Sequence, residues 1–302
     1  MSHIHPHPPP TRAGTPYRRR LMWILILVVV FMAAEVVGGL LTGSLALLSD
    51  AGHMATDALG LGMALAAMVA ADQAGRSTHR TFGLYRLEIL AALANAVLLF
   101  AVAGYVLWEA YRRLQDPPEI LSGPMLAVAT GGLVVNLVAG WALRRGAQES
   151  INVEGAYLEV LADLAGSVGV IVAALVIRFT GWTFADPIVG AAIGVFILPR
   201  AWHLGRRAVR VLVQAAPEDL DLDELHGRLS SLAQVNDVHD LHVWTLTSGM
   251  NVASVHLMTP AGADSHAVLD QARQLLESEY AIAHATLQVE PDTHEGCSEL
   301  IW

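Results

Sequence analysis

The chain has no lysine; all 18 of its basic residues are arginine. A phosphate-binding loop of the Gly-x-x-x-x-Gly-Lys kind therefore cannot exist, which excludes an ATP-driven pump built on one. Cysteine occurs once, as Cys297, so no disulfide can form within the chain. No His-Glu-x-x-His is present, and no serine or cysteine nucleophile pairs with a histidine on an apolar run. The sequence thus gives no reason to read an enzyme. Charge is scarce too: 15% of the 302 residues are charged, against 54% hydrophobic. That balance belongs to a membrane protein carrying a modest soluble part.

Six apolar runs of about the length a bilayer requires lie at Leu21–Leu41, Leu45–Ala71, Leu87–Tyr111, Pro124–Leu143, Val153–Ile177 and Pro187–Leu204. No small-residue cleavage site follows an apolar region of signal-peptide length, so the first run reads as a span. Glycines recur along the runs, where small residues let membrane helices approach closely. Thirteen arginines fall on one side of this arrangement, from Arg12 to Arg210, and three on the other: Arg112, Arg113 and Arg178. The excess places both termini in the cytoplasm. The net charge of −10 hides a split, because residues 211–302 hold 15 acidic residues and only Arg228 and Arg273. An acidic soluble domain argues against a nucleic-acid partner.

The expected organisation is a tail over 1–20, a membrane domain over 21–207, a cytoplasmic domain over 208–291 and a short tail over 292–302. The first tail alternates His3, His5 and His7 with Ile4 and prolines. It cannot build a core, and its histidines either hold a transition metal weakly or have no role. In the cytoplasmic domain, Pro217–Leu232 reads as a helix with Leu222, Leu225 and Leu229 on one stripe. Val238–Thr247 and Asn251–Met258 read as a hairpin about Ser248-Gly249. A helix over Asp264–Tyr280, with Asp264 or Ser265 as its cap, and a strand over His284–Val289 complete an α+β unit.

The chemistry concentrates inside the apolar runs. His53 and Asp57 are four apart in the second run, so a helix stacks them on one face. Glu159 and Asp163 repeat the spacing in the fifth. A carboxylate at mid-bilayer costs about 2.5–3.5 kcal/mol even on lenient scales, so intramembrane acids mark function. Facing one another, the pairs offer one imidazole and three carboxylates, a set suited to a divalent ion. Three carboxylates repel without a cation, and either a divalent ion or protons relieve this. Two loaded states of one site are the physical basis of metal-for-proton exchange. Asp50, one turn from His53, is either an exit-path group or an interfacial one. Glu35 is either a helix-packing or a proton-path residue. Glu88 and Arg86 need be no more than an edge ion pair. Asp186-Pro187 reads as an N-cap followed by proline at the first helical position.

The stretch Leu45-Ala46-Leu47-Leu48-Ser49-Asp50-Ala51-Gly52-His53-Met54, with Asp57, resembles the second-span motif of the cation diffusion facilitator family, in its bacterial zinc, cobalt and cadmium exporter branch. Phe82-Gly83-Leu84-Tyr85-Arg86-Leu87-Glu88, Gly155-Ala156-Tyr157-Leu158, Gly166-Ser167-Val168-Gly169-Val170 and Val238-His239-Asp240-Leu241-His242-Val243-Trp244 agree with it, so the likeness spans both domains. It implies an α-helical membrane protein of six transmembrane helices with a C-terminal α+β ferredoxin-like cytoplasmic domain. It implies a homodimer in a bacterial inner membrane that exports Zn²⁺ and related divalent ions against protons and confers metal tolerance, with no resident cofactor. The implied transport site is His53, Asp57, Glu159 and Asp163. Many zinc-transporting members carry His at the position of Glu159; the harder ligand set here leaves room for Co²⁺, Cd²⁺ or Mn²⁺. The histidines of a further loop site fall on Arg80 and Leu84, so that site is expected to be absent, and His79 is read as a solvated loop residue. The implied cytoplasmic regulatory site is His239, His256 and Glu290, with His266, His294 and Cys297 as weaker candidates. His242 and Trp244 are expected in core or dimer contacts. The competing reading is a membrane metal sensor that binds metal without net transport.

Overall fold

The structure is a computed structural model that describes residues 15–73, 81–144 and 151–293. Six long helices come first: α1 (Thr15–Thr42), α2 (Leu45–Gln73), α3 (Arg86–Gln115), α4 (Ser122–Leu143), α5 (Ile151–Thr180) and α6 (Ala185–Leu212). They are followed by α7 (Leu222–Ser230), β1 (Asp237–Thr247), β2 (Met250–Thr259), α8 (Ser265–Tyr280) and β3 (His284–Pro291). Among the described residues, four helical stretches are long and apolar enough to cross a membrane: Arg86–Gln115, Ser122–Leu143, Tyr157–Thr180 and Ala185–Leu212. The apolar part described in α1, Ile26–Thr42, is shorter. The chain forms two compact units, Met1–Gly62 with Asn95–Trp202, and Met63–Ala94 with His203–Trp302.

In the first unit the helices meet through small residues. A Cβ on Gly38 of α1 would lie 2.9 Å from Val128 Cγ2 of α4, and one on Gly132 of α4 would lie 2.8 Å from the Phe31 ring of α1. Gly190 of α6 lies against Leu45 at the start of α2, and Ser49 Oγ donates to the Gly190 carbonyl at 3.2 Å. Ala46, Leu47, Met125, Ala129, Val170, Ala173, Ala174, Ile177 and Ala185 form a buried cluster drawn from α2, α4, α5 and α6. Gly166 of α5 has a different neighbour: a Cβ there would stand 2.6 Å from Asp50 Oδ1. Asp50 is itself buried, so overpacking here has little room to relax. Gly166→Ala is expected to cost about 1–3 kcal/mol, read as a lowered unfolding midpoint in detergent micelles.

Asp186 does not cap its own helix. α6 already begins at Ala185, and the Asp186 carboxylate instead caps α2. It accepts from Ser44 Oγ at 2.5 Å, from Leu45 N at 2.7 Å and from Ala46 N at 3.1 Å. Helix starts leave N–H groups without partners, and a carboxylate there is favoured by hydrogen bonding and by the helix dipole. Arg113 completes the arrangement, with Nη1 3.7 Å from Asp186 Oδ2 and a hydrogen bond to the Gly43 carbonyl.

In the second unit, β1 and β2 pair antiparallel and β3 joins β2 in parallel, giving the order β1-β2-β3. Leu225 and Leu229 of α7, and Val268, Ala272, Leu275 and Leu276 of α8, share one core with Val238, Val243, Ala253, Val255 and Leu257 of the strands. Leu222 stays exposed and outside this stripe. The helix expected from Pro217 begins at Leu222, because Asp221 is its cap, accepting from Asp223 N at 3.0 Å and Glu224 N at 3.1 Å. Asp264 caps α8 as expected, accepting from His266 N and Ala267 N. The ladder of β1 is interrupted between His239 and His242, where Asp240 takes a positive φ of 50°. Glu88, expected in an edge ion pair, accepts from Thr247 Oγ1 at 2.5 Å and Ser248 Oγ at 2.8 Å at the hairpin turn.

Candidate metal sites

The intramembrane residues lie in the first unit. One turn of α2 stacks His53 over Asp57, with His53 Nε2 3.6 Å from Asp57 Oδ2. Asp163 of α5 comes to the same nitrogen, its Oδ1 at 3.9 Å. His53 and Asp163 are buried, at 6% and 8% exposure. Asp57 and Asp163 thus each approach the same ring nitrogen of His53, from two helices. Glu159 does not join them: its side chain is 49% exposed and is held by Arg200 of α6. Arg200 Nη1 also lies 3.3 Å from Asp57 Oδ2. Arg200 was not among the residues the sequence singled out. The available signal was its position within the sixth apolar run rather than beyond it, since a charge inside a span needs a partner there. Glu35 and Asp50 are buried as well, at 1% and 2% exposure, and their carboxyls face one another. Asn136 of α4 donates to Ser167 Oγ of α5 at 3.3 Å.

The second group lies on the sheet. His239 and His256 are direct partners in the β1–β2 ladder, and Glu290 pairs with Met258, two residues on from His256. Side chains two apart along a strand share a face, so His256 and Glu290 are diagonal neighbours there. His256 Nδ1 lies 3.1 Å from Glu290 Oε1, and His239 Nε2 lies 3.9 Å from Glu290 Oε2. The imidazoles meet edge to face, with centroids 5.2 Å apart. One ligand atom from each residue falls within 4.8 Å of the others, which among the described residues is the one such group of three. Two imidazole nitrogens and a carboxylate are the donors a borderline divalent ion selects. Asp237 Oδ2 stands 4.0 Å from His239 Nδ1.

His242 follows the bulge, pairs with Ser254 and is exposed, so it packs in no core; Trp244 is half-buried. His266 is exposed in the first turn of α8, away from the trio. His3, His5, His7, His79, Arg80, His294 and Cys297 lie outside the described residues.

With both groups in place, the chain can be set beside known proteins. The profile of the cation efflux transmembrane domain matches residues 21–213. The chain belongs to the cation diffusion facilitator family. The profile of the cation efflux protein cytoplasmic domain matches residues 217–292. Among relatives of this family, the cation efflux system protein CzcD of Alcaligenes sp. strain CT14 is 46% identical over 95% of this chain and 89% of its own. The zinc transporter ZitB of Escherichia coli K12 is 41% identical over 99% of this chain and 98% of its own. A cadmium, cobalt and zinc/H⁺-K⁺ antiporter of Bacillus velezensis is 36% identical over 97% and 93%. A solved structure, the metal-bound C-terminal domain of the CzcD transporter from Cuprividus metallidurans, is 33% identical over 24% of this chain and 99% of its own, with a TM-score of 0.23.

Proposed function

We propose that this cation diffusion facilitator is a proton-coupled antiporter that exports Zn²⁺ and related divalent ions from the cytoplasm and confers metal tolerance. The observation that carries the reading is the approach of Asp57 of α2 and buried Asp163 of α5 to the same nitrogen of buried His53. Carboxylates gathered beside a buried imidazole are unfavourable without cations, and divalent metal and protons are the mobile cations that fit. Metal is cargo here, and no resident cofactor is needed. His53, Asp57, Asp163 and, on loading, Glu159 take the ion at cytoplasmic pH. Protons arriving from outside neutralise the same carboxylates and turn the His53 imidazole into a cation that no longer binds metal, and the ion leaves. With one imidazole among three carboxylates, the site accepts Co²⁺, Cd²⁺ or Mn²⁺ beside Zn²⁺.

In this reading α1 to α6 are six spans of an integral protein of a bacterial inner membrane, in contact with lipid, with both termini cytoplasmic. Residues 1–20 form a tail, 21–207 the membrane domain, 208–291 a ferredoxin-like cytoplasmic domain and 292–302 a second tail. That domain joins two copies into a homodimer, and His239, His256 and Glu290 form its regulatory metal site. The compactness of this trio also favours a second reading, a sensor that binds metal without moving it.

Flux in proteoliposomes under an imposed pH gradient separates the two. Zn²⁺, Co²⁺, Cd²⁺ and Mn²⁺ are compared in the wild type and in Asp163→Ala. Gradient-dependent uptake that disappears in the variant is expected. Metal binding with no uptake under any gradient would replace the antiporter by the sensor.

A further inference from the structure

By composition Arg200 is one edge arginine among thirteen. In the fold it reaches two carboxylates on two different helices. Nη1 is 3.3 Å from Asp57 Oδ2 on α2, and Nη2 donates to Glu159 Oε1 on α5. The Asp57 oxygen it holds is the one that stands 3.6 Å from His53 Nε2. The position a divalent ion would take between His53 and Asp57 is therefore contested by a guanidinium. The planar fork suits this, since its separate N–H groups bond two acceptors at once.

We propose that Arg200 is a tethered counter-cation of the transport site, which yields Asp57 and Glu159 to an arriving divalent ion and retakes them when the ion leaves. The inference rests on the transport-site reading above. Two cations cannot share these oxygens without strong repulsion, because Coulomb energy between unit charges a few ångströms apart reaches about 4 kcal/mol at partly buried positions. A guanidinium stays charged across the physiological pH range. Unlike a proton it is never lost to solvent, and it holds the empty site less negative than three carboxylates alone. The geometry leaves it room to move: the Arg200 and Glu159 side chains are 40% and 49% exposed, against 18% for Asp57. Pro199, next to it inside α6, has no N–H, so the helix lacks one rung where Arg200 departs. Glu159 gains a role that histidine could not fill. While the site is empty, its carboxylate holds the guanidinium there.

The test measures Zn²⁺ affinity of the full-length protein in detergent by calorimetry, in a His239→Ala/His256→Ala background so that heat reports the intramembrane site. Arg200→Gln is expected to bind Zn²⁺ at least about fivefold more tightly, and in proteoliposomes to show a lower KM with a lower kcat because release slows. A merely structural Arg200 would give weaker or unchanged binding. That result, with binding still removed by Asp163→Ala, overturns the inference and leaves the transport site standing. If Asp163→Ala leaves Zn²⁺ binding intact, the transport-site reading fails and the inference falls with it. Should Arg200→Gln not fold, Arg200→Lys carries the test: losing the fork, it too should bind more tightly, and unchanged affinity overturns the proposal.

Discussion

Asp186→Ala is expected to destabilise the first unit by about 3 kcal/mol or more, the range for breaking a buried charged network. Asp186 is completely buried, and it accepts from a hydroxyl and from two backbone N–H groups in the first turn of α2. Alanine leaves those N–H groups buried without their acceptor, and a buried donor left unmade costs about 1–3 kcal/mol. It also takes a carboxylate from Arg113, which keeps Glu109 at 3.0 Å. Asp186→Asn retains one carbonyl oxygen and should recover part of the loss. The measurement is the unfolding midpoint in micelles for the three proteins. An alanine variant indistinguishable from the wild type would mean that water satisfies the start of α2.

The second large effect is expected at the sheet. Glu290→Ala should weaken Zn²⁺ binding by the second unit at least about 100-fold, because even an outer-shell partner is worth about 10–100-fold. Titration of the full-length protein in an Asp163→Ala background reads this site. Glu290→Gln should fall nearly as far, since it keeps the shape and loses the anionic donor. Asp237→Asn should lose no more than about tenfold, because Asp237 stands 4.0 Å from His239 Nδ1, beyond hydrogen-bond reach. Equal affinity in Glu290→Ala and wild type would remove Glu290 from the ligand set.

Much of this arrangement was legible in the sequence, and the reasons are local. The spacing of His53 and Asp57 needs only a helix to become geometry. The opposition of His239 and His256 needs only a hairpin turning at Ser248-Gly249, and the ladder pairs them directly. What stayed hidden depends on elements far apart in the chain. Cap rules are written for neighbouring residues, so Asp186 was read as the cap of α6 when its partners lie 140 to 142 positions earlier. Arg200 was counted with the edge arginines because hydropathy gives a residue's depth and not the direction of its side chain. The bulge at Asp240 has no signature in the alternation of β1, since a single extra residue shifts the pattern without erasing it. Glu159 marks the limit of motif transfer. Its spacing to Asp163 is right, yet the cation on α6 holds it outward.

The sheet trio has a mechanical side. β3 is an edge strand with one ladder, to β2, whereas His239 and Glu290 belong to the two outer strands. A ligand bridging His239, His256 and Glu290 runs across the strands, in the direction of the backbone ladder, and ties both edges at once. Fraying of β3, the cheapest local opening such a sheet offers, then requires the ligand to leave first. Amide exchange along His284–Pro291 is expected to slow in proportion to the occupancy of the trio, so that strand would report its own ligand.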